Sequence, residues 1–308
     1  MMNLINFKTV VERWALDKRP YVKQSTFAAY SLIIENHLLP FFGENVEITE
    51  EMVQDFVLMK LANGLSQKSV KDMIVVLKMV FRFGVKNGYW VHKEISVRFP
   101  IDHCKQEVEV FTRIDQRKIM DYVKGDFSYK NLGIFICLSA GLRIGEVCAL
   151  TWNDIDVKNE TITVCKTIQR VCFSKVDEKG TKLIVDTPKT NNSFRVIPMS
   201  KELLKLVRPI KKVCRGSYYV LTNSVNPTEP RTYRNYYKKL LTKIGVPILK
   251  FHCLRHSFAT RCIESKCDYK TVSVLLGHSN ISTTLNLYVH PNMEQKKRCI
   301  EQMCRALG

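Results

Sequence analysis

The sequence of 308 residues has no apolar run long enough to cross a bilayer; the longest, GIFICLSAGL, covers only 133–142. It has no Gly-, Pro- or Ser-rich tract and no internal repeat. No N-terminal segment has the charged-then-apolar form of a signal peptide. These absences argue against a membrane-spanning, secreted or repeat protein. With 45% apolar residues, the chain is expected to form two globular domains in the cytoplasm.

Cysteine is frequent, but the spacings typical of metal sites and disulfide-rich modules are missing. Eleven cysteines are scattered from Cys104 to Cys304, with no CxxC pair and no Cys/His cluster at metal-ligand spacing. Cys137 and Cys148 lie in apolar surroundings, where cysteine behaves as a small hydrophobic residue. We expect reduced thiols in a reducing compartment. The sequence predicts no metal site and no cofactor.

Acidic residues are few relative to basic ones: 29 Asp and Glu against 48 Lys and Arg give a net charge of +19. Residues 1–105 hold 14 basic and 11 acidic residues, which leaves 34 and 18, a net charge of +16, for 106–308. This balance indicates a polyanionic partner, most simply nucleic acid. A membrane-surface protein is less well supported, because no basic helix carries an exposed aromatic face.

The first hundred residues have helical apolar spacing. It predicts four helices, at 5–18, 25–41, 49–63 and 66–87. Ser25, Thr49 and Ser66 suit N-cap positions. The last helix has a stripe of basic side chains opposite its apolar face: Lys68, Lys71, Lys78, Arg82 and Lys86. A solvated surface explains this stripe about as well as DNA does, but the net charge favours contacts with DNA phosphates.

A mainly α fold with two domains is predicted. The periodicity lapses after 97, so 1–100 forms the first domain and 101–111 an extended linker. The second domain, 112–308, opens with Thr112 and Asp115 in a capping pattern. Residues 155–199 are rich in Ile, Val and Thr and predict one small antiparallel sheet of about three strands. Helices are expected at 113–123, 128–140, from Gly145, and at 200–212, 231–244, 254–265, 269–276, 282–289 and 293–306.

Short segments of the second domain carry side chains suited to chemistry: GLRIGEVCAL at 141–150, TPKTNNSFRVIP at 187–198, HCLRH at 252–256, LLGH at 275–278, and Tyr288. Each has a structural explanation by itself. Arg143 with Glu146 could be a surface salt bridge, Lys189 a hairpin lysine, and LGH a helix C-cap. Together they supply two arginines, a lysine, two histidines and a tyrosine, a set that could act on one phosphodiester.

Such a set can carry out phosphoryl transfer. Arginine forks bind two non-bridging oxygens and offset the charge that develops on phosphorus. A tyrosine hydroxyl can attack if a base or positive field assists it, and a lysine can protonate the leaving sugar oxygen. No carboxylate cluster suited to Mg²⁺ accompanies the set in the sequence, and fixed cations can take the place of a metal.

The segments GLRIGEVCAL, PKT…R.IP, H.LRH and LLGH, followed by Tyr288, resemble the signature of the tyrosine recombinases, a family that includes phage integrases, Xer and Cre. All six signature positions hold the family's residues, and the resemblance extends over nearly the whole chain. It implies a SAM-like core-binding domain of four or five helices and a mixed helical catalytic domain with a small sheet. The two domains would form a C-shaped clamp around DNA.

The resemblance implies three roles in bond breaking and proton transfer. Tyr288 would attack the scissile phosphate and form a 3′-phosphotyrosine, which leaves a free 5′-hydroxyl. His252 would act as general base or acid near the tyrosine. Lys189 would protonate the 5′-oxygen.

The other residues of the signature would hold the phosphate. Arg143 and Arg255 would clamp it, and His278 would hydrogen-bond a non-bridging oxygen. Glu146 would orient Arg143, whereas His256, beside Arg255, receives no role.

The resemblance also implies partners: double-stranded DNA, a homotetramer in the synaptic complex and no membrane. An accessory DNA-bending or directionality factor is left open. The segment 293–308 could dock on a neighbouring protomer or fold back on its own domain. Because the first helix begins near residue 5, the arm-binding domain of some integrases is expected to be missing.

The loops at 174–186 and 188–198 favour an integrase of a phage or mobile element. A DNA invertase or an Xer-like resolvase would use the same chemistry, and a type IB topoisomerase would relax supercoils without partner exchange. A non-catalytic DNA-binding regulator could retain the fold. A basic RNA-binding protein is disfavoured, because the sequence has no RNP-like aromatic motif.

Overall fold

The computed structural model describes residues 5–101, 108–173, 180–187, 193–289 and 293–307. Lys189 and most of the predicted linker lie outside these residues. The described chain divides into two units. The first holds the residues before 106 together with those within Val171–Lys182, and the second holds the rest. Each unit is held together by a hydrophobic core of its own.

The first unit is mainly helical. Its helices are α1 (Phe7–Lys18), α2 (Gln24–Ile33), α3 (Leu39–Phe42), α4 (Glu50–Ala62) and α5 (Gln67–Lys86), with a widened π turn at Ile34–Leu38 between α2 and α3. Thr49 and Ser66 cap α4 and α5 by accepting hydrogen bonds from backbone amides, as predicted. The prediction for Ser25 is wrong, because Lys23 occupies the N-cap of α2 and Ser25 lies inside its first turn.

Helix α5 forms the centre of this unit. Its apolar face, which the periodicity predicted, is buried against aromatic side chains from the other helices. The ring of Trp90 stacks on Phe81 and Phe7, with centroids 5.7 and 6.1 Å apart. On the opposite face, Lys78 is half-buried and the other predicted cations are exposed: Lys68, Lys71, Arg82 and Lys86. The stripe is therefore available to solvent.

The second unit is also mainly helical. Three helices precede its strands: α6 (Arg113–Gly125), α7 (Tyr129–Ala140) and α8 (Ile144–Ala149). Six follow them: α9 (Lys201–Lys211), α10 (Pro230–Ile244), α11 (His252–Glu264), α12 (Tyr269–Leu276), α13 (Ile281–Tyr288) and α14 (Met293–Leu307). Thr112 caps α6, as predicted. Within the described chain, no helix combines the length and apolar character needed to cross a membrane.

The strands of the described chain form two small sheets, where one sheet was predicted. They are β1 (Ile155–Asp156), β2 (Thr161–Val164), β3 (Thr167–Phe173), β4 (Gly180–Asp186) and β5 (Arg195–Pro198). Strand β2 pairs antiparallel with both β1 and the distant β5, so β3 and β4 pair with each other instead. The predicted fold class, mainly α with two domains, is confirmed, while the predicted single sheet is replaced by two.

Helix α7 lies at the centre of the second unit, with nearly every residue buried. Its Gly133 allows the close approach of two side chains from elsewhere in the unit. A Cβ at this position would overlap Leu221 Cδ2 and lie 2.5 Å from Tyr233 Oη. The Tyr233 hydroxyl donates to Lys130 O at 2.7 Å, so the ring is held in place and has little room to move.

We expect Gly133→Ala to lower the free energy of unfolding by roughly 1–3 kcal/mol, because an added methyl group forces these packed neighbours apart. Urea unfolding followed by circular dichroism measures the loss. The matched control is Gly125→Ala at the exposed end of α6, where a Cβ meets no atom within 4 Å. This control should be neutral or slightly stabilising. Equal stabilities of the two variants would contradict the packing argument.

Candidate active site

Arg143 is held at the start of α8 by Glu146. Helix α7 ends at Gly141, whose φ of 67° lies in the left-handed region that suits glycine. Two residues later, the Arg143 backbone N–H donates to Glu146 Oε2 at 2.8 Å, and its Nη1 donates to Glu146 Oε1 at 2.7 Å. About a third of the Arg143 side chain remains exposed, 35%. The guanidinium is thus fixed from one side and accessible from the other.

Arg255 is a buried cation on α11, with 1% of its surface exposed. Its Nη1 donates to Gly141 O at 2.9 Å and its Nη2 to Leu276 O at 2.6 Å. Burial, together with the charge of Arg143, lowers the pKa of Arg255 to about 9. That pKa is still above neutral pH, so the group keeps its charge.

Tyr288 is the last residue of α13 and is 7% exposed. Its ring packs in a small apolar cluster with Ala259, Val272 and Leu276. Its hydroxyl lies 2.6 Å from His256 Nδ1. Burial raises the pKa of Tyr288, while the charges of Arg255 and Arg143 act in the opposite direction. The phenol is therefore neutral at physiological pH and lies within the field of two cations.

The two histidines of HCLRH occupy different places. Residues four apart share a helix face, and the rings of His252 and His256 meet edge to face with centroids 4.5 Å apart. His256 contacts the Tyr288 hydroxyl. His252 is exposed at the start of α11 and contacts the ring of His256. Burial, followed by the charge of Arg255, lowers the pKa of His256, which favours the neutral ring. In the tautomer with its proton on Nε2, the Nδ1 atom can accept a hydrogen bond from the Tyr288 hydroxyl. The role of His252 as general base or acid stays a prediction.

His278 follows Gly277, which ends α12 in the left-handed conformation. Its Nδ1 lies 2.8 Å from the hydroxyl of Thr284, a fully buried residue of α13. Together with Arg143 and Glu146, His278 lines an open pocket, to which β3, β4 and the segment before β5 also contribute: Thr167, Gln169, Asp186, Thr187 and Ser193. Burial, with Arg255 and Arg143 adding to it, lowers the pKa of His278 to about 4.

We expect His278 to be neutral in the DNA-free protein at pH 6.5, with its proton on Nε2. A pKa lowered to about 4 leaves the neutral form dominant above pH 5. If the Thr284 hydroxyl donates to Nδ1, the Nε2–H group is left to donate to a ligand in the pocket. Ring ¹⁵N shifts of histidine-labelled protein, assigned with His278→Asn, report both charge and tautomer. Thr284→Val should remove the tautomer preference, and a cationic His278 at pH 6.5 would contradict the expectation.

Arg195, the arginine of the R.IP segment, belongs to this cluster, although no role was assigned to it from the sequence. It lies on β5 and is 5% exposed, and its Nη2 donates to Glu146 Oε2 at 2.8 Å. Burial alone would raise the pKa of Glu146, but Arg195 and Arg143 outweigh burial and hold it at about 2. Glu146 is therefore ionised and shared between two arginines. The sequence held a signal for the buried position of Arg195. Side chains alternate between the two faces of a strand, and on β5 Arg195 shares the inward face with Ile197.

The second unit brings together five of the six signature residues: Arg143, His252, Arg255, His278 and Tyr288. Lys189, the sixth, lies outside the described residues. Three neighbours of these residues were not assigned a role from the sequence: Arg195, His256 and Thr284. The basic stripe belongs to the first unit, where Lys78, Arg82 and Lys86 line a cleft with His92 and Lys93.

Family models match both halves of the chain. The model described as Phage integrase family matches residues 109–295, and that of its N-terminal SAM-like domain matches 6–58. A tyrosine recombinase XerC-like protein of Caldanaerobacter subterraneus subsp. tengcongensis is 31% identical over 309 residues, which covers 91% of this chain and 78% of the relative. The ICEBs1 integrase of Bacillus subtilis is 25% identical over 313 residues, with 95% and 81% covered.

Solved structures show the same fold. The Tn1549 transposon integrase in complex with transposon right end DNA matches with a TM-score of 0.77 at 22% identity, covering 97% of this chain and 100% of that one. A lambda integrase tetramer bound to a Holliday junction matches with a TM-score of 0.65 at 16% identity, covering 93% and 78%. Because the phage integrase model spans more than half of the sequence, the chain belongs to the phage integrase family of tyrosine recombinases and is a site-specific recombinase.

Proposed function

We propose that this recombinase cleaves and rejoins double-stranded DNA through a covalent bond between Tyr288 and a scissile phosphate. One observation carries the proposal: the Tyr288 hydroxyl lies 2.6 Å from His256 Nδ1, in the field of Arg143 and Arg255. A phenol needs a proton acceptor to become a nucleophile, and nearby cations favour the phenolate. Tyr288 has both a histidine nitrogen within hydrogen-bond distance and two cations nearby.

The proposed cleavage is a transesterification. The Tyr288 oxygen forms a bond to phosphorus at the 3′ side, while the bond from phosphorus to the 5′-oxygen breaks. The phenolic proton passes to His256, whose ring contacts that of His252. The leaving 5′-oxygen takes a proton from Lys189, the role that the family resemblance implies for this lysine. Because the phosphotyrosine keeps the energy of the diester, a second 5′-hydroxyl can reverse the step and rejoin the strands.

Positive charge stabilises the phosphorane in this scheme. Arg143, with an exposed edge on the pocket, and His278, with Nε2–H, would donate to the non-bridging oxygens. Arg255, which is buried and donates to backbone carbonyls, would contribute its positive charge to the field at the phosphate. Such preorganised charges need no rearrangement during the reaction, which makes them effective at stabilising developing negative charge. We propose that these fixed cations suffice and that the reaction proceeds without a metal ion.

Affinity for DNA is proposed to come mainly from phosphate contacts. The net charge of +19 and the exposed stripe on α5 support this proposal: Lys68, Lys71, Lys78, Arg82 and Lys86. Each phosphate neutralised by a lysine or arginine releases counterions, so binding should weaken steeply as salt increases. The stripe would position the duplex without reading its sequence.

The chain is further proposed to act as a homotetramer that integrates a mobile element. The ICEBs1 integrase and the transposase from transposon Tn916 of Enterococcus faecalis, 26% identical over 253 residues, support an element integrase. The lambda integrase tetramer supports four protomers, as do the apolar side chains that α14 exposes: Met293, Ile300 and Met303. The XerC-like relative favours a resolvase as the alternative with the same chemistry.

Strand exchange between two differently labelled duplexes tests the proposal. Both duplexes are intact and carry the repeat found in the DNA that flanks the gene. A separate duplex has a nick beside the scissile phosphate, so that its cleaved strand cannot be rejoined and the covalent intermediate accumulates. A covalent protein–DNA band on a denaturing gel and reciprocal joint molecules are the expected products. Relaxation of supercoiled DNA without joint molecules would identify a topoisomerase. Binding without any covalent band would identify a non-catalytic regulator.

A further inference from the structure

Three consecutive carbonyls at the end of α12 each accept a hydrogen bond from a different arginine. Arg195 Nε donates to Leu275 O at 2.7 Å, Arg255 Nη2 to Leu276 O at 2.6 Å and Arg143 Nη2 to Gly277 O at 3.3 Å. The last carbonyls of a helix lack partners within the helix and form the negative end of its dipole. Cations from β5, α11 and the start of α8 satisfy them, and these bonds fix the turn that carries His278.

Arg195 differs from Arg143 because its side chain is almost fully buried and donates four hydrogen bonds to protein groups. Besides Leu275 O, it donates through Nη1 to Glu146 Oε1 at 3.1 Å and to Ser193 O at 3.2 Å, and through Nη2 to Glu146 Oε2 at 2.8 Å. Its side chain is 3% exposed, against 35% for Arg143. Four of the five N–H groups of Arg195 therefore donate to protein groups, and its side chain lacks the exposure to serve as a ligand for phosphate.

Glu146 couples Arg195 to Arg143. The carboxylate is 4% exposed and ionised, so it needs a compensating charge inside the protein. With Arg195 present, one guanidinium neutralises Glu146 and the charge of Arg143 remains for a ligand in the pocket. Without it, Arg143 would be the remaining ion-pair partner of Glu146 and would be drawn inward, away from the pocket.

We infer that Arg195 is a positioning residue: it neutralises Glu146 and anchors the end of α12, so that Arg143 and His278 face the scissile phosphate. This inference rests on the proposed function and adds to it a residue that does not touch substrate. It explains why a charged side chain occupies an inward position on β5, where Ile197 on the same face is apolar and buried.

The test compares cleavage of two suicide duplexes, one with the natural scissile phosphate and one with a methylphosphonate in its place. A methylphosphonate lacks the negative charge that Arg143 neutralises, so Arg143→Ala should lose much less on it than on the natural phosphate. Arg195→Met should behave in the same way, because it acts through Arg143. Ile197→Val is the structural control on the same strand, since it trims the core without touching an arginine.

We expect Arg195→Met to slow cleavage of the natural phosphate by about 10²-fold, the size of effect seen when a reacting group is displaced by about 1 Å. DNA affinity should change by less than about threefold, since it depends on many phosphate contacts. On the methylphosphonate, the variant should come within about fivefold of wild type, since little charge is left to stabilise. For Ile197→Val, the ratio of its cleavage rate to that of the wild type should be the same on the two duplexes.

A double variant distinguishes a loss of positioning from a loss of folding. Glu146→Gln added to Arg195→Met removes the buried charge that captures Arg143, so it should recover part of the lost rate; a purely structural role for Arg195 predicts further loss. If Arg195→Met does not fold, Arg195→Lys replaces it and should lose an intermediate amount, again more on the natural phosphate. Equal losses on both duplexes would overturn the inference. No adduct from the wild type on either duplex would instead overturn the proposed function.

Discussion

Tyr288→Phe is expected to abolish the covalent protein–DNA adduct while duplex binding stays close to that of the wild type. The phenyl ring keeps its contacts with Ala259, Val272 and Leu276, and only the hydroxyl and its hydrogen bond to His256 are lost. Losing one such bond costs about 1 kcal/mol, too little to unfold the domain. Cleavage loses its nucleophile, so the rate on a nicked suicide duplex should fall by at least about 10⁴-fold.

The matched control for this variant is Tyr269→Phe. Tyr269 lies on α12 and is 42% exposed, so its hydroxyl can be removed without disturbing the pocket. The control should form the adduct at the wild-type rate, measured as the covalent band on a denaturing gel. An adduct that persists in Tyr288→Phe would assign the nucleophile to another residue. The identity of the linked residue can then be read from the mass of the nuclease-digested adduct.

The tyrosine could be predicted from the sequence, but its hydrogen-bond partner could not. His256 and Tyr288 are 32 residues apart and meet only when α11 and α13 pack against each other. The motif drew attention to His252, which precedes Arg255 by three residues. Helical geometry held a further clue, because His252 and His256 are four residues apart and therefore share a face. Which of the two rings reaches the phenol depends on packing that one helix alone does not determine.

Helices were predicted better than strands for a physical reason. The apolar stripe of an amphipathic helix such as α5 repeats within a few residues, so its buried face can be read locally. Strand pairing is not local: β2 pairs with β5, thirty or more residues away, and β3 and β4 lie between them in sequence. The composition of 155–199 indicated β structure, but it did not determine which strands form a common sheet.

The buried ion pair of Arg195 could be predicted only in part from the sequence. Its inward position follows from alternation with Val196, which is 53% exposed. Its partner Glu146 is 49 residues away in sequence, and neither charge could be buried alone. Each residue by itself resembles a surface charge. The ion pair becomes visible only when β5 and α8 are placed side by side.

Arg255→Met is expected to reduce cleavage by about 10³-fold or more while leaving the protein folded. Arg255 supplies a full buried charge near the developing oxyanion, and its loss should cost at least as much as the loss of one preorganised donor, about 10²–10³-fold. The effect on stability has two opposing parts. Gly141 O and Leu276 O lose their donors, which costs about 1–3 kcal/mol for each unsatisfied group. The fold is also relieved of a buried cation whose pKa is lowered to about 9.

Because these two parts offset each other, thermal unfolding of Arg255→Met should resemble that of the wild type, and the loss should appear in the cleavage rate on the suicide duplex. Arg261→Met is the control on the same helix; Arg261 pairs with Glu264 and donates to Phe111 O, so its loss affects structure and leaves the pocket intact. Arg255→Lys should be intermediate, since a lysine keeps the charge but loses the planar fork. A rate for Arg255→Met within tenfold of wild type would mean that Arg255 only joins α11 to Gly141 and Leu276. The charge that develops on the phosphate would then be stabilised without a contribution from Arg255.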